Sequence, residues 1–488
     1  MKKNFIIIFS MVILVSIIFL VLINSDIGEI GSGITGEAVS ENDLGYKCPN
    51  CNVIIITIDT LRADHLGTYG YERNTSPNID ALAKEGVLFE QAVTQWPKTS
   101  PSIAAMLTGT YGHTNGVMRG TKRKINENNT LLAEVLKEHG YITIGVVSNG
   151  NLNSFYNFNQ GMDEHIFLWD VYINKTDEAY RIYSLASDII DNMTNNKFFL
   201  WVHSNAPHAP YKPPSPFNES FIDDDYYRYK KLKINFGIDV YIGGIPSRYS
   251  LRNNTNLFYY IAQYDGEILF TDYYLKKLLD KLNLLNIRNK TLIILTADHG
   301  ESLGDHNYYF AHGRLPYDAS SRVPLIISYP PGIPENKLIK QPVGLIDIMP
   351  TILDFLNISI PDIVEGESLM PFILNSDGGH NKYVFSEAGS SRFYIRSIRD
   401  ERWKLIFIPS LRDIRIMKKS PFELYDIKND PNETKNLFFK KPFVSTRLLS
   451  NLIYFILTEK DYMPESPVII PEKNKNLLEQ LKSLGYLT

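Results

Sequence analysis

Four short apolar runs, each followed at once by polar residues, set the frame of the chain. Val53–Ile58, Tyr141–Val147, Phe198–Val202 and Thr291–Thr296 are rich in Ile, Val, Leu and Phe and alternate little. Such runs predict strands of a parallel sheet buried on both faces. Helical spacing of apolar residues marks Asn78–Lys84, Ser102–Leu107, Leu131–Lys137 and the longer Phe258–Leu284, with Gly140 placed to cap the third. Together these predict an α/β domain. Short alternating runs follow at Tyr383–Phe385, Tyr394–Ile398 and Trp403–Phe407, and Leu477–Leu487 reads as a short amphipathic helix. The Tyr-rich stretch from Asp223–Tyr229 to Tyr249 has little periodicity and is expected to be an insertion shaping the mouth of a site.

The N-terminus is patterned differently. Lys2 and Lys3 precede an apolar run, Phe5–Ile23, broken only by Ser10 and Ser16. Its length suits a membrane span or a long signal peptide. No small-residue cleavage pattern follows directly, which favours an uncleaved anchor, and the flanking lysines put the remainder outside the cytoplasm. Asp26 to Tyr46 reads as a tether. The expected organisation is anchor or signal 1–24, linker 25–51, catalytic domain 52–375, C-terminal subdomain 376–440, and tail 441–488 with a short helix.

Composition narrows the classes. The 488 residues are 44% apolar and 21% charged, ample for one large domain plus a smaller one. A formal net charge of −4 without a basic block leads us to expect no nucleic-acid partner. The only cysteines, Cys48 and Cys51, suit a small disulfide loop in an oxidising compartment.

Candidate chemistry collects where the apolar runs end. Asp59 follows the first, Asn149 the second, His208 lies shortly after the third, and Asp298 and His299 follow the fourth. Open parallel sheets bind ligands beyond the carboxyl ends of their strands, so these residues are expected on one rim. Thr99 precedes Pro101 and an apolar helical stretch, and so reads as a hydroxyl at a helix N-terminus. Taken alone, Thr99 or Ser100 is an N-cap and each aspartate a turn residue. As a set they describe a divalent-metal site beside a nucleophile.

This set resembles the sulfatase family of the alkaline phosphatase superfamily. The colinear segments are Asn52–Asp64, Thr75–Ala83, Thr99–Gly109, Ala206–Tyr211, Thr296–Gly304, Arg322–Ile326, Asp347–Leu353, Glu423–Asp426 and Asp430–Glu433. The resemblance implies a doubly wound mixed sheet with a small C-terminal antiparallel-sheet subdomain. It implies a metal-dependent ester hydrolase, with Asp59, Thr99, Asp298 and His299 holding one divalent ion (Mn, Ca, Mg or Zn). Thr99, His208 and His312 would be catalytic, the histidines as hydrogen-bond donors or general acid. Asn149 and Arg314 would contact a small-molecule, glycan or lipid anionic ester.

Three departures bear on the chemistry. The family's formylglycine, made from Cys or Ser, would stand where Thr99 is. The arginine expected in the nucleophile motif is Ile103, and the lysine-bearing segment is Ser148-Asn149-Gly150. An unmodified Thr99 is therefore expected to favour phosphate or phosphonate esters over sulfate esters. Two further readings remain open: a membrane-anchored transferase of phosphoryl headgroups, and a non-enzymatic binding protein on the same scaffold.

Overall fold

The computed structural model describes residues 46–118, 124–168, 177–222, 230–236, 241–374, 383–389 and 394–458. The run Phe5–Ile23, nearly all of the tether, the Asp223–Tyr229 stretch and the expected helix Leu477–Leu487 lie outside them. No helix among the described residues is long and apolar enough to cross a membrane.

In chain order the strands are β1 (Asn52–Ile58), β2 (Val87–Val93), β3 (Ile142–Val147), β4 (Glu164–Phe167), β5 (Phe198–Ser204), β6 (Lys233–Asn235), β7 (Gly244–Pro246), β8 (Thr291–Ala297), β9 (Ser302–Leu303), β10 (Tyr309–Ala311), β11 (Arg322–Val323), β12 (Leu325–Ser328), β13 (Lys337–Gly344), β14 (Val384–Ala388), β15 (Ile395–Arg399), β16 (Trp403–Phe407) and β17 (Phe422–Asp426). The helices used below are α1 (Pro77–Lys84), α2 (Thr99–Thr108), α3 (Leu132–Glu138), α4 (Glu178–Asp191), α5 (Leu257–Leu284), α6 (Ile348–Phe355), α7 (Leu411–Met417) and α8 (Pro442–Thr458).

The main sheet is nine-stranded and mixed, in the order β11-β2-β12-β8-β1-β5-β3-β4, with β13 on β2. The strands from β8 through β1, β5 and β3 to the edge strand β4 are parallel. β12 runs antiparallel to β8 and β2. Val53, Ile54, Ile55 and Ile56 are wholly buried, as are Phe198 to Val202. Each large apolar side chain so removed from water contributes roughly 1.5–3 kcal/mol. That burial is why these strands read as unbroken apolar runs.

A second sheet, β14-β15-β16-β17, is antiparallel throughout. Helix α8 covers it, and Leu448, Leu449 and Leu452 pack with Ile398, Leu405 and Leu424. The C-terminal subdomain therefore runs past the expected boundary at residue 440 and takes in the first part of the expected tail. At the other end, the last residues of the expected linker are ordered against the domain. Cys48 and Cys51 form a disulfide, and Cys48 N donates to Phe355 O at the end of α6 at 2.9 Å.

Candidate active site

Register brings the site together. Thr57 of β1 pairs with His203 of β5 and Thr296 of β8, and Val147 of β3 pairs with His203. Asp59, Asn149, Asn205 and Asp298 therefore leave the sheet along one edge. Asp59 and Asp298 are both fully buried.

The two carboxylates are held differently. Asp298 Oδ1 accepts from Thr60 N at 3.2 Å and His299 N at 2.8 Å. Thr60 reaches it from φ +58°, a left-handed conformation that costs a β-branched residue of order 1–3 kcal/mol. Tyr264 holds that turn, donating its hydroxyl to Thr60 O and accepting from Arg62 N. Asp59 Oδ2 accepts from Asn149 Nδ2 at 2.6 Å. Asp59 Oδ1 and Asp298 Oδ2 have no hydrogen-bond partner. Burial and the neighbouring Asp59 push the Asp298 carboxyl up. Burial would raise Asp59 as well, but His203, His208 and His299 outweigh it and hold Asp59 down.

Four imidazoles close the cluster, and their outer hydrogen bonds assign their tautomers. His299 Nδ1 faces Gly300 O at 2.9 Å, and a carbonyl only accepts, so Nδ1 carries the proton. His208 Nδ1 likewise donates to Ala209 O at 2.8 Å, and His312 Nδ1 to Glu301 Oε1 at 3.1 Å. Thr57 Oγ1 donates to Val202 O and accepts from Trp201 Nε1, so His203 Nδ1, 2.8 Å away, donates to it. When neutral, His203, His208, His299 and His312 each present an Nε2 lone pair. His299 Nε2 stands 3.3 Å from Asp298 Oδ2 and 3.8 Å from Asp59 Oδ1. His203 Nε2 stands 3.8 Å from Asp59 Oδ2 and has no hydrogen-bond partner. The rings of His312 and His299 are 4.0 Å apart, and those of His312 and His208 5.2 Å. Burial, followed by the charges of His299 and His208, pushes the His312 imidazole well down. In these tautomers His208 and His312 are acceptors, and donate only after taking up a second proton.

The ligand atoms of Asp59, His203 and Asp298 lie within 4.8 Å of one another. Buried carboxylate oxygens without donors, facing imidazole lone pairs, fit a cation and little else. His203 was not among the residues expected from sequence.

Thr99 lies against this cluster. It opens α2, which is buried along its whole length, and its Oγ1 is 3.4 Å from His299 Nε2. Lys98 is the N-cap and Thr99 the first helical residue, so Pro101 occupies the third position rather than the first. The third position is still in the first turn, where a missing N–H costs nothing. Ser102 Oγ donates to Asp298 O, tying the helix to the metal-side strand.

The remaining expected residues divide. Asn149 lies in the cluster, but its amide serves Asp59 and Asn205 Oδ1. Arg314 ion-pairs with Asp413 of α7 at 3.2 Å, toward the C-terminal subdomain. A cation from elsewhere approaches instead. A Cβ at Gly313, beside His312, would stand 2.6 Å from Lys98 Cε, so the Lys98 stem runs along that glycine. Burial pulls the Lys98 ammonium down.

Comparison with known proteins agrees with this arrangement. The sulfatase family model matches residues 51–358, and the C-terminal model of N-sulphoglucosamine sulphohydrolase matches residues 304–453. The chain is 28% identical to an arylsulfatase of Clostridium perfringens, over 79% of this chain and 90% of the relative. It is 24% identical to an N-acetylglucosamine-6-O-sulfatase of Bacteroides thetaiotaomicron, over 85% and 87%. Among solved structures, a protein in complex with D-glucosamine-2-N,6-O-disulfate superposes with a TM-score of 0.69 at 21% identity, covering 88% of this chain and 98% of that one. The phosphonate monoester hydrolase of Agrobacterium radiobacter superposes with a TM-score of 0.69 at 22% identity, covering 84% and 96%.

Proposed function

The chain belongs to the sulfatase family, and on that premise we propose that it is a metal-dependent hydrolase of anionic esters in which unmodified Thr99 is the nucleophile. The observation that carries this reading is the Thr99 hydroxyl at a helix N-terminus, 3.4 Å from His299 Nε2 and beside two carboxylates with free oxygens. Asp59, Asp298, His299 and Thr99 would hold one divalent ion, with His203 as an additional ligand. Imidazole nitrogens beside carboxylates favour Zn or Mn over Mg or Ca. When bound, such an ion lowers the pKa of a hydroxyl and polarises the ester's non-bridging oxygen.

The chain's own groups do the rest. Thr99 Oγ forms the bond to phosphorus or sulfur while the ester alcohol departs, and water then hydrolyses the covalent intermediate and restores Thr99. First-turn N–H groups of α2 face the transferring group's oxygens. His208 and His312 offer Nε2 to accept a proton and return it to the leaving oxygen. Lys98 supplies positive charge where Ile103 and Asn149 supply none. The same fold carries sulfatases and phosphonate monoester hydrolases, so the scaffold alone does not set the preference. Threonine is expected to favour phosphate or phosphonate esters.

A panel of p-nitrophenyl sulfate, phosphate, phosphodiester and phosphonate esters, each with Zn, Mn, Mg and Ca after chelation, tests this. Fastest turnover of the sulfate ester would overturn the preference for phosphorus. We further propose that Phe5–Ile23 anchors the protein with the catalytic domain outside the cytoplasm, a placement supported by the Cys48–Cys51 disulfide. Protease added to intact cells is expected to release that domain. Its full protection under a permeable envelope would refute the placement.

A further inference from the structure

Residues 241–250 take no part in the chemistry above, yet they are built onto it. Tyr309 N donates to Tyr241 O at 2.8 Å, and Gly243 N donates to Asn307 O at 2.9 Å. These bonds seat the segment on the β9–β10 hairpin, whose last strand ends at Ala311, next to His312. On this segment the Arg248 guanidinium lies against two rings, its central carbon 5.3 Å from the centre of Tyr241 and 4.8 Å from that of Tyr249. Arg248 is exposed, and no carboxylate among the described residues pairs with it. A solvated arginine keeps its rotamer freedom. One held on two rings has given that up, a loss worth up to about 2 kcal/mol, without being neutralised. The fixed fork remains open to an acceptor of matching shape.

The local field agrees with this placement. Burial pushes the Tyr249 hydroxyl up to about 12 against the pull of the Arg248 charge, with Glu301 and Asp59 adding to the rise. The aromatic clamp and the cation it holds thus lie on the hairpin that leads into His312.

We propose that Arg248, clamped by Tyr241 and Tyr249, forms a subsite for a second anionic group on the substrate, namely a carboxylate or further sulfate on the sugar that carries the scissile ester. The proposal rests on the ester-hydrolase reading and adds a substrate class to it: carbohydrate esters bearing at least two anionic groups. Guanidinium and carboxylate or sulfate match in a two-pronged contact that lysine cannot reproduce.

The test compares two substrates, the fastest p-nitrophenyl ester and a uronic-acid-containing disaccharide ester of the same acid. Arg248→Gln is expected to lower kcat/KM on the disaccharide ester at least about tenfold, mainly through KM. The p-nitrophenyl ester should change no more than about twofold, and Arg248→Lys should recover only part of the loss. Equal losses on both substrates, or none on the disaccharide ester, would overturn the subsite. Calorimetric titration of the unesterified uronic-acid disaccharide into metal-loaded Thr99→Ala protein gives a readout free of turnover. Binding that weakens at least about tenfold on adding Arg248→Gln supports the subsite even if no ester is hydrolysed, in which case the hydrolase reading alone fails. Binding indifferent to Arg248 overturns the subsite while leaving that reading intact.

Discussion

Two buried charge clusters lie on either side of residues 312–318, and they solve opposite problems. Where the main sheet meets the small one, Asp318, Arg399, Lys404 and Glu433 are all largely buried. Lys404 Nζ is 2.7 Å from Asp318 Oδ1 and 2.8 Å from Glu433 Oε1, and Arg399 Nη1 is 3.1 Å from Asp318 Oδ1. Two acids meet two bases there, and Asp318 N donates to Glu433 Oε2. At the strand ends, Asp59 and Asp298 meet imidazoles and keep oxygens without partners. Burying a charge costs several kcal/mol unless it is paired. The interface meets that cost from within the chain. The rim leaves it to be met by something bound, and this separates a structural cluster from a functional one without reference to motifs.

The largest effect expected from this contrast is on catalysis. Thr99→Ala, or removal of metal by chelation, should lower kcat by at least about three orders of magnitude. The melting temperature of metal-free Thr99→Ala should stay near that of metal-free wild type. Near wild-type turnover by Thr99→Ala would place the nucleophile elsewhere. Thr99→Ser should keep much of the activity.

Breaking the interface should do the reverse. Lys404→Met strands Glu433 and leaves Asp318 with Arg399 alone, and is expected to cost about 3–5 kcal/mol of stability, measured by urea unfolding. Protein that remains folded should turn over substrate at close to the wild-type rate. By contrast, Asp298→Asn removes one of two repelling carboxylates and should leave metal-free stability unchanged or raised. A loss like that of Lys404→Met would mean that the rim is structural.

Metal should then stabilise only the rim. Ligand at about 100 times its Kd adds roughly 2.7 kcal/mol. Wild type should gain that much in a thermal melt with Zn or Mn, and His203→Ala should gain less. His203→Ala with an undiminished gain would remove His203 from the ligand set. Asp59→Asn with Asp298→Asn should gain nothing.

The sequence disclosed the rim unevenly. Asp59, Asp298 and His299 stand just past apolar runs, where a change of pattern coincides with a change of chemistry. His203 also follows its apolar run, Phe198–Val202, at once, but it is still inside the strand, as the sixth residue of Phe198–Ser204, and the sequence reading settles on the later His208 in its place. Its signal was cross-strand: a histidine in register with Thr57, the hydroxyl that fixes its tautomer. The clamp at Arg248 was unreadable for another reason, since its contacts come from the fold of a segment without periodicity. β2 and β13 were missed because they mix polar residues into the pattern, as in Val87–Val93 with Glu90 and Gln91. Helix α8 was missed although Leu448, Leu449 and Leu452 have helical spacing, because the expected boundary at residue 440 cut it from the sheet it covers.

The smallest effect is a slope with pH, and its sign follows from the interface. Burial pushes the Glu433 carboxyl up to about 7, against the pull of Lys404. Burial alone would raise Asp318 as well, but Arg399 and Lys404 hold it well below the usual carboxylate range. The folded protein thus keeps a proton on Glu433 that the unfolded chain releases near its ordinary value of 4.5. The stability this confers is fully present below pH 4.5 and is lost as pH rises through about 7. Asp318 works in the opposite sense, but only in strong acid, below its ordinary 3.8. Between these limits the melting temperature should therefore fall with rising pH. Glu433→Gln keeps an acceptor for Asp318 N and removes the titration, so it should flatten the slope at some cost in overall stability through the weakened Lys404 contact. Metal-free Asp298→Asn protein is the right background, because the rim's own raised carboxyl is then gone. Burial also raises Asp272 and Glu178, which keep part of the slope, so only a slope that Glu433→Gln leaves undiminished in that background would show that Lys404 and Arg399 already hold Glu433 ionised. The interface would then be fully charge-paired across the neutral range, and the contrast with the rim sharper than Glu433's raised carboxyl suggests.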